Sequence, residues 1–179
     1  MAAPSMIESI KTLRERTGAG MMDCKKALEE CSMDMEKACD WLREKGIAKA
    51  AKKAATRIAA EGLKLVKTVG NKAIILEINC ETDFVAKGDA FKKLLNDVAD
   101  TALAKNCGCL DCAKEAVGEI FTEASVRIGE KLDFRRFEIV EKAEGQELGF
   151  YIHMGGKVSA VALIDKADAE LAHDLSVHI

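Results

Sequence analysis

The order of hydrophobic and polar positions divides the chain into an all-helical first part and a later part that mixes strands with helices. In residues 1–46, apolar side chains recur every three or four positions in three short runs, which indicates three amphipathic helices. Residues 17–20 contain glycines and separate the first run from the second. Asp34 is placed to cap the third helix, and Gly46 is placed to end it. The pattern predicts a compact three-helix module over residues 1–46.

Residues 47–61 are rich in alanine and lysine. Up to residue 60 the segment contains neither glycine nor proline, so its helix propensity is high, but it has few large apolar side chains to bury. It is therefore predicted to be a helical linker. Its cations either face water along one side of the helix or form a basic patch; they are Lys49, Lys52, Lys53 and Arg57.

From residue 62 the hydrophobic period changes from that of a helix to that of a strand. Residues 63–69 and 72–79 flank Gly70 and Asn71, which is a hairpin signal. Two amphipathic helices follow, the first containing Phe91 and the second Phe121, and a strand over residues 132–140 ends the segment. For residues 62–143 the pattern predicts an α+β unit in which two helices cover one face of an antiparallel sheet.

Residues 144–179 repeat the beginning of such a unit. Two strand-like runs, 148–154 and 157–164, flank Gly155 and Gly156. Asp168 is placed to cap a helix that carries Leu171, Ala172, Leu175 and Ile179. A hairpin with one short helix cannot bury its own apolar face well, and the chain ends within the apolar pattern. We therefore expect this second unit to be partial.

Composition and charge argue against several classes of function. The chain of 179 residues is 49% hydrophobic and 32% charged, with a net charge of −3. A nucleic-acid binder normally has a basic excess, and only 4% of the residues are aromatic, too few for the stacking surfaces that hold single strands. No apolar run approaches the length that crosses a bilayer, and the start of the chain shows no export signal. We expect a protein that contacts neither nucleic acid nor membrane directly.

The seven cysteines are an odd number, and reduced thiols in a cytosol are their simplest interpretation. Cys107, Cys109 and Cys112 lie close together between the two predicted core helices. They fit an ordinary loop with reduced thiols, a redox sensor or a metal site, although structural zinc would need a fourth ligand. No nucleophile stands beside a base, and no glycine-rich phosphate loop follows a strand. Neither an enzyme nor a cofactor is predicted.

The end of the second predicted strand carries an unusual sequence, EINCETDFVAK, at residues 77–87. Chains usually leave a strand through small or polar residues, because the exit faces water. Phe84 follows the polar residues directly, so its ring is either packed into the core or presented to another molecule. The local pattern alone favours the core, with Thr82 or Asp83 capping the next helix. His153, at a later strand end, is by the same argument an ordinary surface residue.

Two long segments resemble the elongation factor Ts family. The first is LRERTGAGMMDCKKAL at residues 13–28, and the second is the strand exit at residues 77–87. Shorter matches are GIAKAAKKA at residues 46–54 and IGE at residues 128–130. Both long segments are free of gaps and specific to the family, and their separation in the chain is the one that the family requires.

The resemblance implies both a fold and a function. The implied fold is α+β: a three-helix module similar to a ubiquitin-associated domain over residues 1–46, a helical linker over 47–61, a complete first core half over 62–143 and a partial second half over 144–179. The implied function is that of a non-enzymatic translation elongation factor, which binds elongation factor Tu with GDP and promotes release of the nucleotide. The family also implies a bacterial cytoplasm or an organelle matrix, and it allows a homodimer.

The resemblance further implies roles for individual residues. Asp83 and Phe84 are implied to reach the GTPase domain of elongation factor Tu, where the ring separates helices near the magnesium site. Thr82 and Val85 flank them in the motif. The remaining implied partner contacts are Lys25 and Lys53 toward the GTPase domain, Ile128 near the inserted ring, His153 in the second core half, and Arg14 and Met21 in the first signature, where they equally suit holding the small module together.

Two other classes of function are compatible with the residues. In the first, the N-terminal helices grip other chains, and the protein is an interaction module without exchange activity. In the second, the clustered cysteines bind a metal or sense oxidation. A stable complex with slow GDP release would select the interaction module, and stoichiometric bound metal would select the metal protein.

Overall fold

The computed structural model describes residues 5–179, except that the side chains of residues 49–51 and 53–55 lie outside the described part. The helices are α1 (Met6–Thr17), α2 (Met21–Glu30), α3 (Met35–Thr56), α4 (Asp83–Lys87), α5 (Asp89–Ala104), α6 (Leu110–Ala116), α7 (Gly118–Ile128) and α8 (Ala169–His178). The strands are β1 (Glu61–Val69), β2 (Lys72–Cys80), β3 (Asp133–Glu141), β4 (Glu147–His153) and β5 (Val158–Ile164). The predicted α+β class is confirmed, with three N-terminal helices followed by antiparallel sheets packed with helices.

The described residues form two compact units. The first consists of the residues up to Arg57 together with Phe121–Lys131, and the second consists of Ile58–Ile120 with Leu132–Ile179. The domain boundaries predicted at residues 46, 61 and 143 stay predictions.

In the first unit, α1, α2 and α3 enclose a small apolar core. Its fully buried members come from all three helices and include Leu13, Cys24, Ala27, Leu28 and Ala38. The starts of α1 and α3 follow from capping chemistry, because a side chain at each start accepts hydrogen bonds from amides that have no partner within the helix. Ser5 and Glu8 form a capping box at α1, and Asp34 Oδ1 accepts hydrogen bonds from the amides of Glu36 and Lys37, as predicted.

The prediction that the third helix ends at Gly46 is wrong, because α3 continues to Thr56. Gly46 is buried, and a Cβ added there would lie 2.2 Å from Cγ2 of Val126 in α7. The glycine therefore gives α7 room to approach rather than ending the helix. The alanine-rich segment that follows has enough helix propensity to continue through a single glycine, which costs about 1 kcal/mol.

The second unit is built on an antiparallel sheet with the strand order β1–β2–β3. The predicted Gly70–Asn71 hairpin is confirmed, with Val69 opposite Lys72. Helix α5 packs on β1 and β2 through its apolar stripe. The buried residues of that stripe are Phe91, Leu94, Leu95, Val98, Ala99 and Ala102.

The helices after α5 differ from the prediction. The cysteine segment was expected to be a loop, but its end begins α6, which contacts α5 and β3. Val117, expected to open the second covering helix, is buried at the end of α6. Most of α7 belongs to the first unit, including Phe121 and Ala124. The predicted second covering helix is therefore wrong, and the short α6 takes that position.

The β4–β5 hairpin and α8 complete the second unit. The two strands pair as predicted around Gly155 and Gly156, and Asp168 Oδ1 accepts a hydrogen bond from the Leu171 amide to cap α8. The face of α8 that meets the hairpin carries small residues, Ala172 and Ser176. Leu171, Leu175 and Ile179 are exposed, so only Ala172 of the expected apolar set is buried.

We predict that Gly149→Ala destabilises the second unit. A Cβ at this position of β4 would lie 2.0 Å from the carbonyl oxygen of Ala172, and backbone there cannot yield as a flexible side chain can. Overpacking of this kind costs about 1–3 kcal/mol. Urea denaturation followed by circular dichroism should show a lower midpoint. Gly118→Ala is the control, because a Cβ there meets nothing within 4 Å. Equal midpoints for the two variants would contradict this packing.

Candidate functional site

The exit of β2 presents an aromatic ring to solvent. After Cys80 the chain turns into α4, and the Thr82 hydroxyl accepts a hydrogen bond from the Val85 amide at 3.4 Å as the N-cap. Ala86 is the buried residue of this short helix. Phe84 lies two positions earlier, which places it on the opposite side of the helix. Its side chain is 85% exposed, so the expectation from the local pattern that Phe84 is a core residue is wrong.

Asp83 and Lys87 form an ion pair one turn apart on α4. The Lys87 Nζ and the Asp83 Oδ2 are 2.7 Å apart. The hydrogen bond from Lys87 lowers the pKa of the Asp83 carboxyl, and the same bond raises the pKa of Lys87. Asp83 is therefore charged throughout the neutral range, directly before the exposed ring.

The turn between β4 and β5 accepts two hydrogen bonds from Lys64 of β1. The Lys64 amide donates to the Gly156 carbonyl at 2.7 Å, and the Lys64 Nζ donates to the Lys157 carbonyl at 2.9 Å. Gly156 has a φ of +98°, and a Cβ there would lie 2.6 Å from the Lys64 carbonyl oxygen. Only glycine suits both conditions. Met154, at the tip of the turn, is 72% exposed.

Charges connect this turn to α4. Lys157 forms an ion pair with Glu61 at the start of β1. The positive charge of Lys157 also contributes to the lowered pKa of Asp83, and Glu61 contributes to the raised pKa of Lys87. Helix α4 contacts β1, and β1 contacts β4 and β5, so α4, the start of β1 and the β4–β5 turn lie together. We call this surface, consisting of Glu61, Asp83, Phe84, Lys87 and Lys157, the α4 face.

His153 is the last residue of β4, opposite Val158 and beside the turn. Its Nδ1 shares a hydrogen bond of 2.9 Å with the Tyr151 hydroxyl, and the two rings stack with centroids 5.8 Å apart. The histidine is exposed, and the contact with Tyr151 fixes the orientation of its ring.

A buried carboxylate lies under the sheet end that carries α4. Glu77 of β2 is buried, and its Oε2 accepts a hydrogen bond from Arg136 Nε at 2.7 Å. The Lys64 Nζ lies 3.8 Å from the other carboxylate oxygen. A buried charge without such partners would be strongly destabilising. These two cations therefore hold β1 and β3 to the central strand just before its exit.

The predicted partner-binding residues divide between the two units. Thr82, Asp83, Phe84, Val85 and His153 belong to the second unit. Arg14, Met21, Lys25 and Ile128 belong to the first, where Arg14, Met21 and Lys25 are exposed and Ile128 is half-buried at the end of α7. Lys25 pairs with Glu29 at 3.7 Å. Lys53 lies in α3, but its side chain is outside the described residues.

Three members of the α4 face were not predicted from the sequence: Glu61, Lys87 and Lys157. Lys87 had a local signal, because a lysine four residues after an aspartate on a helix commonly pairs with it. Glu61 and Lys157 have no such signal, because they are 96 residues apart in the chain.

Metal-binding clusters and membrane-spanning helices are the two other features to consider in the described residues. Among the described side chains, no group of three or more His, Cys, Asp or Glu residues is arranged to hold a metal ion. Between residues 5 and 179, no helix is both long enough and apolar enough to span a bilayer.

Comparison with protein families gives the class of the protein. The family model for elongation factor Ts matches residues 81–179, just over half of the chain, from the exit of β2 to the end of α8. The chain therefore belongs to the elongation factor Ts family. Membership implies a nucleotide-exchange role, with elongation factor Tu as the partner, and it implies an exchange factor rather than a catalytic enzyme.

We predict that the Asp83 carboxyl titrates below its ordinary pKa and that Lys87→Gln moves the pKa upward. Because the folded pKa is lowered, the ion pair is present above the ordinary carboxyl pKa and is lost as the pH falls through the folded value. Carboxyl shifts in an NMR titration measure this directly. Lys93→Gln is the control, because Lys93 pairs with Asp97 one turn away on α5 and not with Asp83. An Asp83 pKa that Lys87→Gln leaves unchanged would contradict the assigned cause.

Proposed function

We propose that this chain promotes GDP release from elongation factor Tu by inserting Phe84 beside the magnesium and phosphate site of the GTPase domain. The single observation that carries the proposal is the 85% exposure of Phe84, on a capped helix directly after a buried strand. An aromatic ring that is held on a capped helix and exposed to this extent suits a partner-binding anchor.

The chemistry of the partner explains why insertion of a ring is sufficient. GDP is held by backbone amides of a phosphate loop and by Mg²⁺, which offsets the phosphate charge. An exchange factor forms no bond to the nucleotide. It stabilises a conformation of the GTPase in which those ligands are displaced, so GDP leaves faster.

Phe84 suits this task because its ring is large, has few rotatable bonds and is carried by a well-supported helix. An aromatic ring offers a large apolar area and freezes only two side-chain torsions on binding. Ala86 docks α4 from beneath, and the strand before it is buried, so little conformational entropy is lost when the ring is fixed. Asp83 brings a negative charge next to the ring, at the place where the partner's Mg²⁺ would otherwise be coordinated.

The other predicted contacts remain part of the proposal. Met21 and Lys25 are exposed on the first turns of α2, a position that suits contact with the GTPase domain. Arg14, Lys53, Ile128 and His153 are proposed as further partner contacts, with Thr82 and Val85 supporting the ring. We also propose a bacterial cytoplasm or an organelle matrix as the compartment, and a homodimer stays a prediction.

Replacing Phe84 by alanine tests the insertion. We expect Phe84→Ala to slow catalysed release of labelled GDP from elongation factor Tu by about 30-fold or more, corresponding to the loss of at least about 2 kcal/mol at a hot spot. Because the ring is exposed, circular dichroism should show an intact fold. Phe150→Ala is the matched control, since Phe150 is also exposed, at 44%, but lies on β4.

A Phe84→Ala protein that exchanges at the wild-type rate would rule out the inserted ring. A wild-type chain that forms a stable complex while GDP release stays slow would select the non-catalytic interaction module instead.

A second experiment tests the coupling between chain and nucleotide. If the chain weakens GDP binding, GDP must weaken binding of the chain by the same factor. We expect calorimetry to give an affinity for nucleotide-free elongation factor Tu about 100-fold higher than for the GDP form, a coupling of about 2.7 kcal/mol. Phe84→Ala should bring the ratio close to one. Equal affinities of the wild-type chain for both forms would contradict an exchange mechanism.

A further inference from the structure

The segment between α5 and α6 brings together thiols that the exchange mechanism does not use. Cys107 is buried, whereas Cys109 and Cys112 are exposed. Cys109 is the N-cap of α6, and its Sγ accepts a hydrogen bond from the Cys112 amide at 3.3 Å. A cysteine in this capping position replaces the usual serine, threonine or aspartate, whose oxygen would make a better acceptor. Capping alone therefore does not explain the residue.

The geometry places Cys109 and Cys112 within reach of a disulfide bond. The pair has the Cys-x-x-Cys spacing, and its second member stands at the third position of the helix. Residues at the N-cap and at the third position of a helix are neighbours on one turn, a spacing from which a disulfide can form. The sulfur of Cys109 already contacts the backbone that carries the second thiol. Formation of the bond requires the two side chains to rotate toward each other.

Cys107 is not a member of the reactive pair. Its amide donates to the Ala102 carbonyl at 3.1 Å, which holds the residue against the end of α5. Burial raises the pKa of the Cys107 thiol, and its hydrogen bond with Cys112 raises the pKa further. Because a small disulfide must reach the attacking sulfur, the buried Cys107 reacts more slowly than its exposed neighbours.

We propose that Cys109 and Cys112 form a reversible dithiol–disulfide site that exchanges with low-molecular-weight disulfides. One exposed thiolate attacks the small disulfide, forming a mixed disulfide and releasing one small thiolate. The second thiolate attacks the protein sulfur of that mixed disulfide, forming the Cys109–Cys112 bond and releasing the other small thiolate. The protein loses two electrons and two protons, and the small disulfide is reduced to two thiols.

The site lies at the opposite end of α5 from the α4 face. Helix α5 begins two residues after α4 ends, and the cysteine segment follows its last turn. Its 16 residues correspond to about 24 Å of helix. The disulfide therefore forms without contact with Phe84, and the proposal is independent of the exchange mechanism.

Mass spectrometry tests the proposal. The full chain is treated with oxidised glutathione, quenched by alkylation and then digested. Trypsin releases residues 106–114 as one peptide that contains all three cysteines. We expect to recover this peptide with one internal disulfide and one alkylated cysteine, whereas treatment with dithiothreitol before alkylation should give three alkylated cysteines. In glutathione buffers with a fixed concentration of oxidised glutathione, the ratio of reduced to oxidised peptide should rise with the square of the reduced glutathione concentration, because two thiols are released for each disulfide formed.

Single serine variants identify the pair. Cys107→Ser should still form the disulfide, whereas Cys109→Ser and Cys112→Ser should stop at a glutathione adduct or stay reduced. Phe84→Ala should leave the oxidation unchanged, which separates this proposal from the proposed exchange function. A wild-type peptide that stays reduced, one that stops at a glutathione adduct, or a disulfide that Cys107→Ser abolishes would each overturn it.

Discussion

The burial of β2 is the constraint on which the functional surface depends. The strand lies between β1 and β3, and its side chains are buried on both faces over most of its length. A shift of register by one residue would move every side chain to the opposite face, including the Glu77 carboxylate that Arg136 and Lys64 neutralise. The end of β2 is thus fixed in space, and α4 begins only three residues later with Phe84 in its first turn. The position of the ring therefore follows from the packing of the buried strand before it.

Features with local chemistry were predictable from the sequence. The hairpin at Gly70 and Asn71 and the caps at Asp34 and Asp168 depend on residues within a few positions of each other. The errors occur where tertiary packing overrides local preference. Gly46 looked like a helix end, but in the structure it accommodates Val126. Helix α7 has an apolar stripe that would suit packing on a sheet, yet most of the helix belongs to the first unit. Its own sequence does not indicate whether the stripe packs on a sheet or on other helices.

The candidate site shows the same contrast between features set by nearby residues and features set by tertiary packing. Local pattern alone assigned Phe84 to the core, because an apolar residue after a strand usually packs inward. Its exposure depends on Ala86 facing inward instead, which a five-residue helix does not reveal by periodicity. The family resemblance supplied what periodicity lacked. Neither periodicity nor the family resemblance predicted the pairing of Glu61 with Lys157. The two residues are 96 positions apart, and no pattern near either one indicates its partner.

The link between the β4–β5 turn and β1 also has a consequence for biosynthesis. Contacts between distant segments close late, because the intervening chain must first be made and ordered. The β1–β2 hairpin and α4 can form soon after they leave the ribosome, but Gly156 and Lys157 emerge long after Lys64 and Glu61. A nascent chain that stalls before residue 157 would already expose the Phe84 ring, but the β4–β5 turn near α4 would still be incomplete. Such a fragment would be prone to association through its exposed aromatic ring, because Lys157 and the β4–β5 turn would not yet be in place.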